Sequence, residues 1–166
     1  MNTKRFRFDL ATPADDAQLR RRMAEDWMRG NVSITFRREP SYFDACAVQG
    51  VKTQVIKCTD VETGEIVGVG SRSRRSAYVN GEPRCVGYLS DLRAHPRVRS
   101  RTLLARGYEY LRRLHEADPV ALYYTVIFDG NQAALDALIG ERAGLPPYHD
   151  LGKIFDPGDS SRLPEA

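Results

Sequence analysis

Five arginines, Arg93, Arg97, Arg99, Arg101 and Arg106, fall within a fourteen-residue stretch that holds no acid. An alternating stretch that ends at His95-Pro96 precedes them, and an amphipathic run begins near Thr102. The pattern predicts a strand, a basic loop and the N-terminus of a helix. That arrangement suits a phosphate. The first N–H groups of a helix have no partner inside it, and the helix dipole favours an anion there. Guanidinium groups add fork-shaped donors that match phosphate oxygens. A solvated basic helix start is the plainer alternative.

Other chemistry-bearing residues are less organised. Arg72, Arg74 and Arg75 alternate with serines, which reads chiefly as a solvated strand edge that discourages sheet-to-sheet pairing. Cys46, Cys58 and Cys85 are scattered and odd in number, so they read as free thiols in a reducing cytoplasm, with no disulfide framework and no metal site. His115 and His149 have no acid at a recognisable spacing, and His95 reads as a strand end. A net charge of +3 does not by itself imply nucleic acid, and no aromatic-rich RNA-binding signature accompanies the arginines. No run approaches the roughly 18 apolar residues of a membrane span. The basic N-terminus lacks the apolar block of a secretory signal.

The elements that must position the basic loop follow an α/β order within one domain over residues 1–155. Residues 5–10 alternate as a first strand. Thr12-Pro13 opens a helix whose stripe is Leu19, Met23 and Trp27, ended by Gly30-Asn31. Residues 41–48 suggest a short second helix. Strands follow at 54–58 and from Ile66. Asn80-Gly81 marks a type I′ hairpin that should pair Ser76–Val79 with Cys85–Leu89. Leu103, Leu104, Tyr108, Leu111 and Leu114 form the apolar face of a long helix. Residues 121–128 read as a strand buried on both faces. Asn131 can cap a last helix with stripe Ala134, Leu135 and Leu138, closed by Gly144 and Pro146-Pro147. A short strand at 153–155 and a polar tail over 156–166 complete the chain.

This order, with Leu89-Ser90-Asp91-Leu92-Arg93-Ala94-His95-Pro96-Arg97-Val98-Arg99 as its strongest part, resembles the GNAT (Gcn5-related N-acetyltransferase) superfamily over residues 5–155. Thr125–Phe128 followed by Asn131, Ala134 and Ala143-Gly144-Leu145 is similar to a second family segment. The resemblance implies a central mixed, mostly antiparallel sheet flanked by helices. It implies acetyl-CoA as co-substrate and acyl transfer to an amine on a small molecule or a protein. Its diphosphate loop would be Arg99-Ser100-Arg101-Thr102-Leu103-Leu104. Backbone groups near Leu92, Arg93 and Ala94 would bind the thioester oxygen, and the strand would pair with the pantetheine arm. Asn131 would bind that arm too. Asp91 would be the base that frees the amine.

Two departures bear on activity. The family loop carries small residues where this chain has Thr102 and Leu104, which keep the backbone further from a diphosphate. The tyrosine that protonates the leaving thiolate is replaced by Leu138. Tyr148 is the substitute candidate. Tyr123 and Tyr124, one facing each side of the sheet, are alternatives. Residues 28–50, with Trp27, Phe36, Tyr42 and Phe43 as candidate walls, would select the acceptor. The competing reading is a catalytically degenerate GNAT-fold binding or regulatory module. A homodimer through the C-terminal strands is compatible with either.

Overall fold

Alternating apolar residues build a five-stranded sheet in the computed structural model, which describes residues 5–26, 35–139 and 144–153. The strands are β1 (Phe6–Leu10), β2 (Lys52–Asp60), β3 (Glu65–Val79), β4 (Glu82–Ala94) and β5 (Tyr123–Tyr124), in the order β1-β2-β3-β4-β5. The first four are antiparallel, and β5 runs parallel to β4. The helices are α1 (Asp16–Glu25), α2 (Tyr42–Ala47), α3 (Arg101–Ala117) and α4 (Gln132–Leu138). This is the mixed, mostly antiparallel α+β sheet that the sequence predicts. Trp27, Gly30, Asn31, Ala143, residues 154–155 and the 156–166 tail lie outside the described residues, and Lys153 is not in a strand.

Each face of the sheet has its own core. On one side α1 and α2 bury Leu19, Met23, Tyr42 and Cys46 against Val55, Ile66 and Val69. On the other, Leu103 of α3 packs with Phe6, Cys58, Val67 and Val98. Pro13–Asp15 forms a single 3-10 turn before α1, so the α-helix starts later than Pro13. The Asp15 carboxylate accepts from the Thr12 N–H at 2.8 Å and fixes this entry.

Three expectations are corrected. Arg72 does not lie on a solvated edge, because β3 is an inner strand and the Arg72 side chain is fully buried, donating to Tyr123 and Gln54. The Asn80-Gly81 turn is as tight as its residues allow, with both φ angles positive. It therefore pairs Val79 with Glu82 and Ser76 with Cys85, so Ser76–Val79 faces Glu82–Cys85 rather than Cys85–Leu89. The run from 121 to 128 is not a strand buried on both faces. Only Tyr123 and Tyr124 pair, with Gly87 and Tyr88, while Leu122, Val126 and Phe128 are 40%, 53% and 41% exposed. Gly87 permits the close start of this pairing, because a Cβ there would lie 2.3 Å from the Tyr123 ring. Beyond Tyr124 the chain leaves β4, and Thr125 keeps only a side-chain bond to the Leu89 carbonyl, at 2.8 Å.

Candidate active site

β4 carries a bulge where its partner strand does not. Ser90 pairs with Ser71 and Arg93 with Val69, so Asp91 and Leu92 together oppose Gly70. Asp91 takes φ of 58°, a left-handed conformation that aspartate tolerates better than most residues. Strict alternation would send Asp91 to the α3 side. The bulge turns it to the α1–α2 side, where Ser90 and Arg93 also face. The β4–β5 pairing stops at Tyr88, ahead of the bulge, and among the described residues nothing pairs with residues 89–94 of β4 as a strand on that side.

A cavity of about 1410 Å³ occupies this divergence. Asp91, Leu92, Arg93 and Ala94 form one wall, and Thr125–Phe128 form the opposite one. Arg99, Ser100, Arg101, Thr102, Leu103 and Leu104 close one end, and Asn131 and Tyr148 complete the lining. The twelve residues singled out in the sequence therefore surround one space.

At the helix end, Ser100 is the N-cap of α3, and its hydroxyl accepts from the Leu103 N–H at 3.2 Å. The N–H groups of Arg101 and Thr102 have no acceptor within the helix. Arg99 donates to the Ala94 carbonyl at 3.2 Å, and neither Arg99 nor Arg101 has a carboxylate partner among the described residues. Two other arginines of the basic stretch are diverted from this end. Arg97 is paired with Glu65, and Arg106 donates to the Phe6 carbonyl at 2.5 Å. The helix begins at Arg101 rather than Thr102, so Thr102 lies exposed in the first turn and Leu104 is half-buried.

On the α1–α2 side the Asp91 carboxylate is already engaged. Its two oxygens accept from Arg38 Nη2 at 2.6 and 2.8 Å, and Oδ2 also accepts from the Tyr42 hydroxyl at 3.0 Å and from Ser71 at 3.3 Å. Burial works to lower the Arg38 guanidinium, and the Asp91 charge and hydrogen bonds reverse this, with a net shift upward. Burial pushes the Tyr42 phenol well up. Arg93 donates to the Leu92 carbonyl at 2.9 Å, and its buried Nε has no partner. Burial pulls this guanidinium below its ordinary value. Asp26, at the end of α1, also lines the cavity, and burial raises its carboxyl although Arg22 lies 3.2 Å away.

At the α3 wall the Tyr108 and Tyr148 hydroxyls meet at 2.5 Å, and both line the cavity. Burial pushes both phenols up, Tyr108 further. Tyr123 and Tyr124 do not line this space. The Tyr123 hydroxyl accepts from Arg72 at 2.7 Å and meets His115 Nδ1 at 3.2 Å, while Tyr124 stacks on Tyr88 with ring centroids 4.9 Å apart. Asn131 caps α4 by accepting from the Ala134 N–H at 3.2 Å.

Of the acceptor-side aromatics, Phe36 lines the cavity and meets Phe128 at 5.9 Å, whereas Phe43 packs against the core. Arg38, Asp26 and the Tyr108 hydroxyl are cavity groups that sequence reasoning missed. Arg38 lies in a stretch without periodicity. Tyr108 sits on the apolar stripe of α3, where an aromatic reads as packing.

No model of a known protein family matches this chain, and no curated protein sequence matches it. Solved structures do. An aminoglycoside acetyltransferase from an uncultured soil metagenomic sample, in complex with trehalose, is 15% identical, with a TM-score of 0.66 over 94% of this chain and 97% of that one. The aminoglycoside acetyltransferase AAC(6')-Iy, bound to a bisubstrate analogue of CoA and acetylneamine, is 14% identical, with a TM-score of 0.64 over 91% of this chain and 96% of that one. Glucosamine-6-phosphate N-acetyltransferase from Arabidopsis thaliana is 13% identical, with a TM-score of 0.60 over 91% and 99%. The chain has the fold of the GNAT acetyltransferases.

Proposed function

We propose that this protein is an N-acyltransferase that moves an acyl group, acetyl in the simplest case, from acyl-CoA to an amine. One observation carries the reading. A single cavity joins the open side of the β4 bulge to the start of α3, where the Arg101 and Thr102 N–H groups have no acceptor within the helix. A long ligand with anionic groups at one end and a backbone-like amide arm fits such a slot, adding hydrogen bonds as an extra strand would. Arg99, Ser100, Arg101, Thr102, Leu103 and Leu104 would hold the diphosphate. Asn131 and the strand from Leu92 to Ala94 would hold the arm. The Thr102 hydroxyl offers a donor in place of the closer backbone approach that a glycine would give.

The reaction is attack of a neutral amine on the thioester carbonyl. An N–H in the bulge near Leu92 or Ala94 would meet the oxygen as its charge develops. The proton must leave an amine that is largely protonated at neutral pH. Asp91 was the candidate base, but its lone pairs already serve Arg38, Tyr42 and Ser71. In this reading Asp91 fixes the acceptor wall, and the raised Asp26 carboxyl receives the proton, directly or through water. The Tyr108–Tyr148 pair supplies the acid. One hydroxyl proton makes the bond between them, and the other is free for the departing thiolate.

Incubation with acetyl-CoA and a panel of amines, followed by mass detection of acetylated product, tests this. Product formation above the rate without protein supports it. Coenzyme binding without product for any amine favours the binding-module reading, which the Thr102 and Leu104 departures also favour.

A further inference from the structure

Two arginines, Arg38 and Arg93, and three acids, Glu25, Asp26 and Asp91, line the α1–α2 side of the cavity, with Arg22 behind them, and these charges do not pair off evenly. Arg22 is shared by Glu25 and Asp26. Arg38 is matched by Asp91. Arg93 faces the same side, lines the cavity, and has no carboxylate within ion-pairing distance among the described residues. Among the described residues its one hydrogen bond is to the neutral Leu92 carbonyl, and its Nε is enclosed without a partner. A half-buried guanidinium is costly to leave uncompensated, and protein interiors supply a counter-charge or let a ligand do so.

Several neighbours constrain what that ligand is. Asp91 cannot turn to Arg93 without releasing Arg38 and Tyr42. Asp26 is held by Arg22. Phe36 and Phe128, each about two-fifths exposed, give the same cavity an apolar rim. Resting on the acyltransfer reading above, we propose that the acceptor is an amine that also carries a carboxylate, a free amino acid or a similar small molecule. Arg93 is its specificity-determining residue. The carboxylate takes the unused Nη2 edge of Arg93, the amine points to the bulge, and the remaining side chain lies against Phe36 and Phe128. Guanidinium and carboxylate match through parallel N–H···O bonds, which a lysine ammonium reproduces only as a point charge.

The test uses product-like ligands, so that it does not depend on turnover. N-acetyl amino acids and their C-terminal amides are titrated into the protein and followed by calorimetry. The same titrations are run on Arg93→Met and Arg93→Lys, each first checked for an unchanged melting temperature. The acids should bind about ten-fold or more tighter than the amides, the scale of one charge-assisted contact. The preference should fall within about two-fold in Arg93→Met and survive in part in Arg93→Lys. Equal binding of acids and amides, binding of neither, or a preference unchanged in Arg93→Met overturns the proposal. A separate acetyl-CoA titration reports on the acyltransfer reading. Coenzyme binding with no acid preference sinks only the acceptor assignment, and absent coenzyme binding sinks the reading beneath it.

Discussion

The Arg38 guanidinium and the Asp91 carboxylate meet at 2.6 and 2.8 Å although 53 residues separate them in the chain. Their side chains are 11% and 7% exposed, so the pair is largely out of water. It ties the segment before α2 to the bulge in β4 and so sets one wall of the cavity. Removing one partner of such a pair leaves the other charge buried. Asp91→Asn keeps the left-handed backbone but should cost about 3 kcal/mol in urea unfolding. Arg38→Met with Asp91→Asn should cost less than the sum of the two single changes.

The Tyr108–Tyr148 pair predicts a redundant acid. Tyr148→Phe leaves the Tyr108 proton free for the cavity, and Tyr108→Phe does the converse. Each single change should lower kcat for acyl transfer only several-fold, and the double change by about a hundred-fold, the usual scale of general acid catalysis. Steady-state rates at saturating acetyl-CoA check this.

Gly87 lies where β4 is still paired with β5, before the two chains diverge. Its missing Cβ leaves room for the Tyr123 ring, which Arg72 and His115 hold from behind. Gly87→Ala should push β5 outward and cost about 1–3 kcal/mol, the ordinary range for overpacking. Gly81→Ala, at a turn with nothing within 4 Å, should strain only the local backbone and leave the cavity ligands unaffected. Urea unfolding and ligand titration of the two variants separate these effects.

The cysteines give a prediction about pH. Burial pushes the Cys46 thiol up to about 11 and the Cys58 thiol up to about 12. The folded state therefore holds these protons at a pH where the unfolded chain, with thiols near 8.5, has released them. Their contribution to stability is complete below about pH 8.5 and is lost as pH rises through the folded values. The raised phenols of Tyr108 and Tyr148 act in the same direction above about pH 10. Urea midpoints should fall steadily from about pH 9 upward. In the native protein a bulky disulfide reagent should modify Cys85 first, because Cys46 and Cys58 are buried.

Much of the frame was legible in the sequence because it rests on local rules. Asn80-Gly81 specified its turn, Asn131 lay at a helix start, and the spacing of Leu103, Tyr108 and Leu111 specified a helix face. What was not legible depends on a single backbone irregularity and on partners distant in sequence. Nothing in Leu89–Ala94 announces a bulge at Asp91, and without the bulge Asp91 belongs to the wrong face. Arg38 gains meaning only when α2 is laid over that bulge. The apolar run from 121 to 128 misled because half of its residues line a cavity, and a cavity wall needs apolar residues as much as a core does. The arginines of the basic stretch divided by geometry: Arg97 went to Glu65 and Arg106 to the Phe6 carbonyl, leaving Arg99 and Arg101 at the helix start.

The most direct test of the central claim is calorimetric titration of the protein with acetyl-CoA, beside Arg99→Ala, Arg101→Ala and desulfo-CoA. The account predicts saturable binding that each arginine change weakens by about ten-fold, the loss expected for one charged phosphate contact, with desulfo-CoA binding comparably. No binding at millimolar ligand, or binding that neither substitution alters, would contradict it.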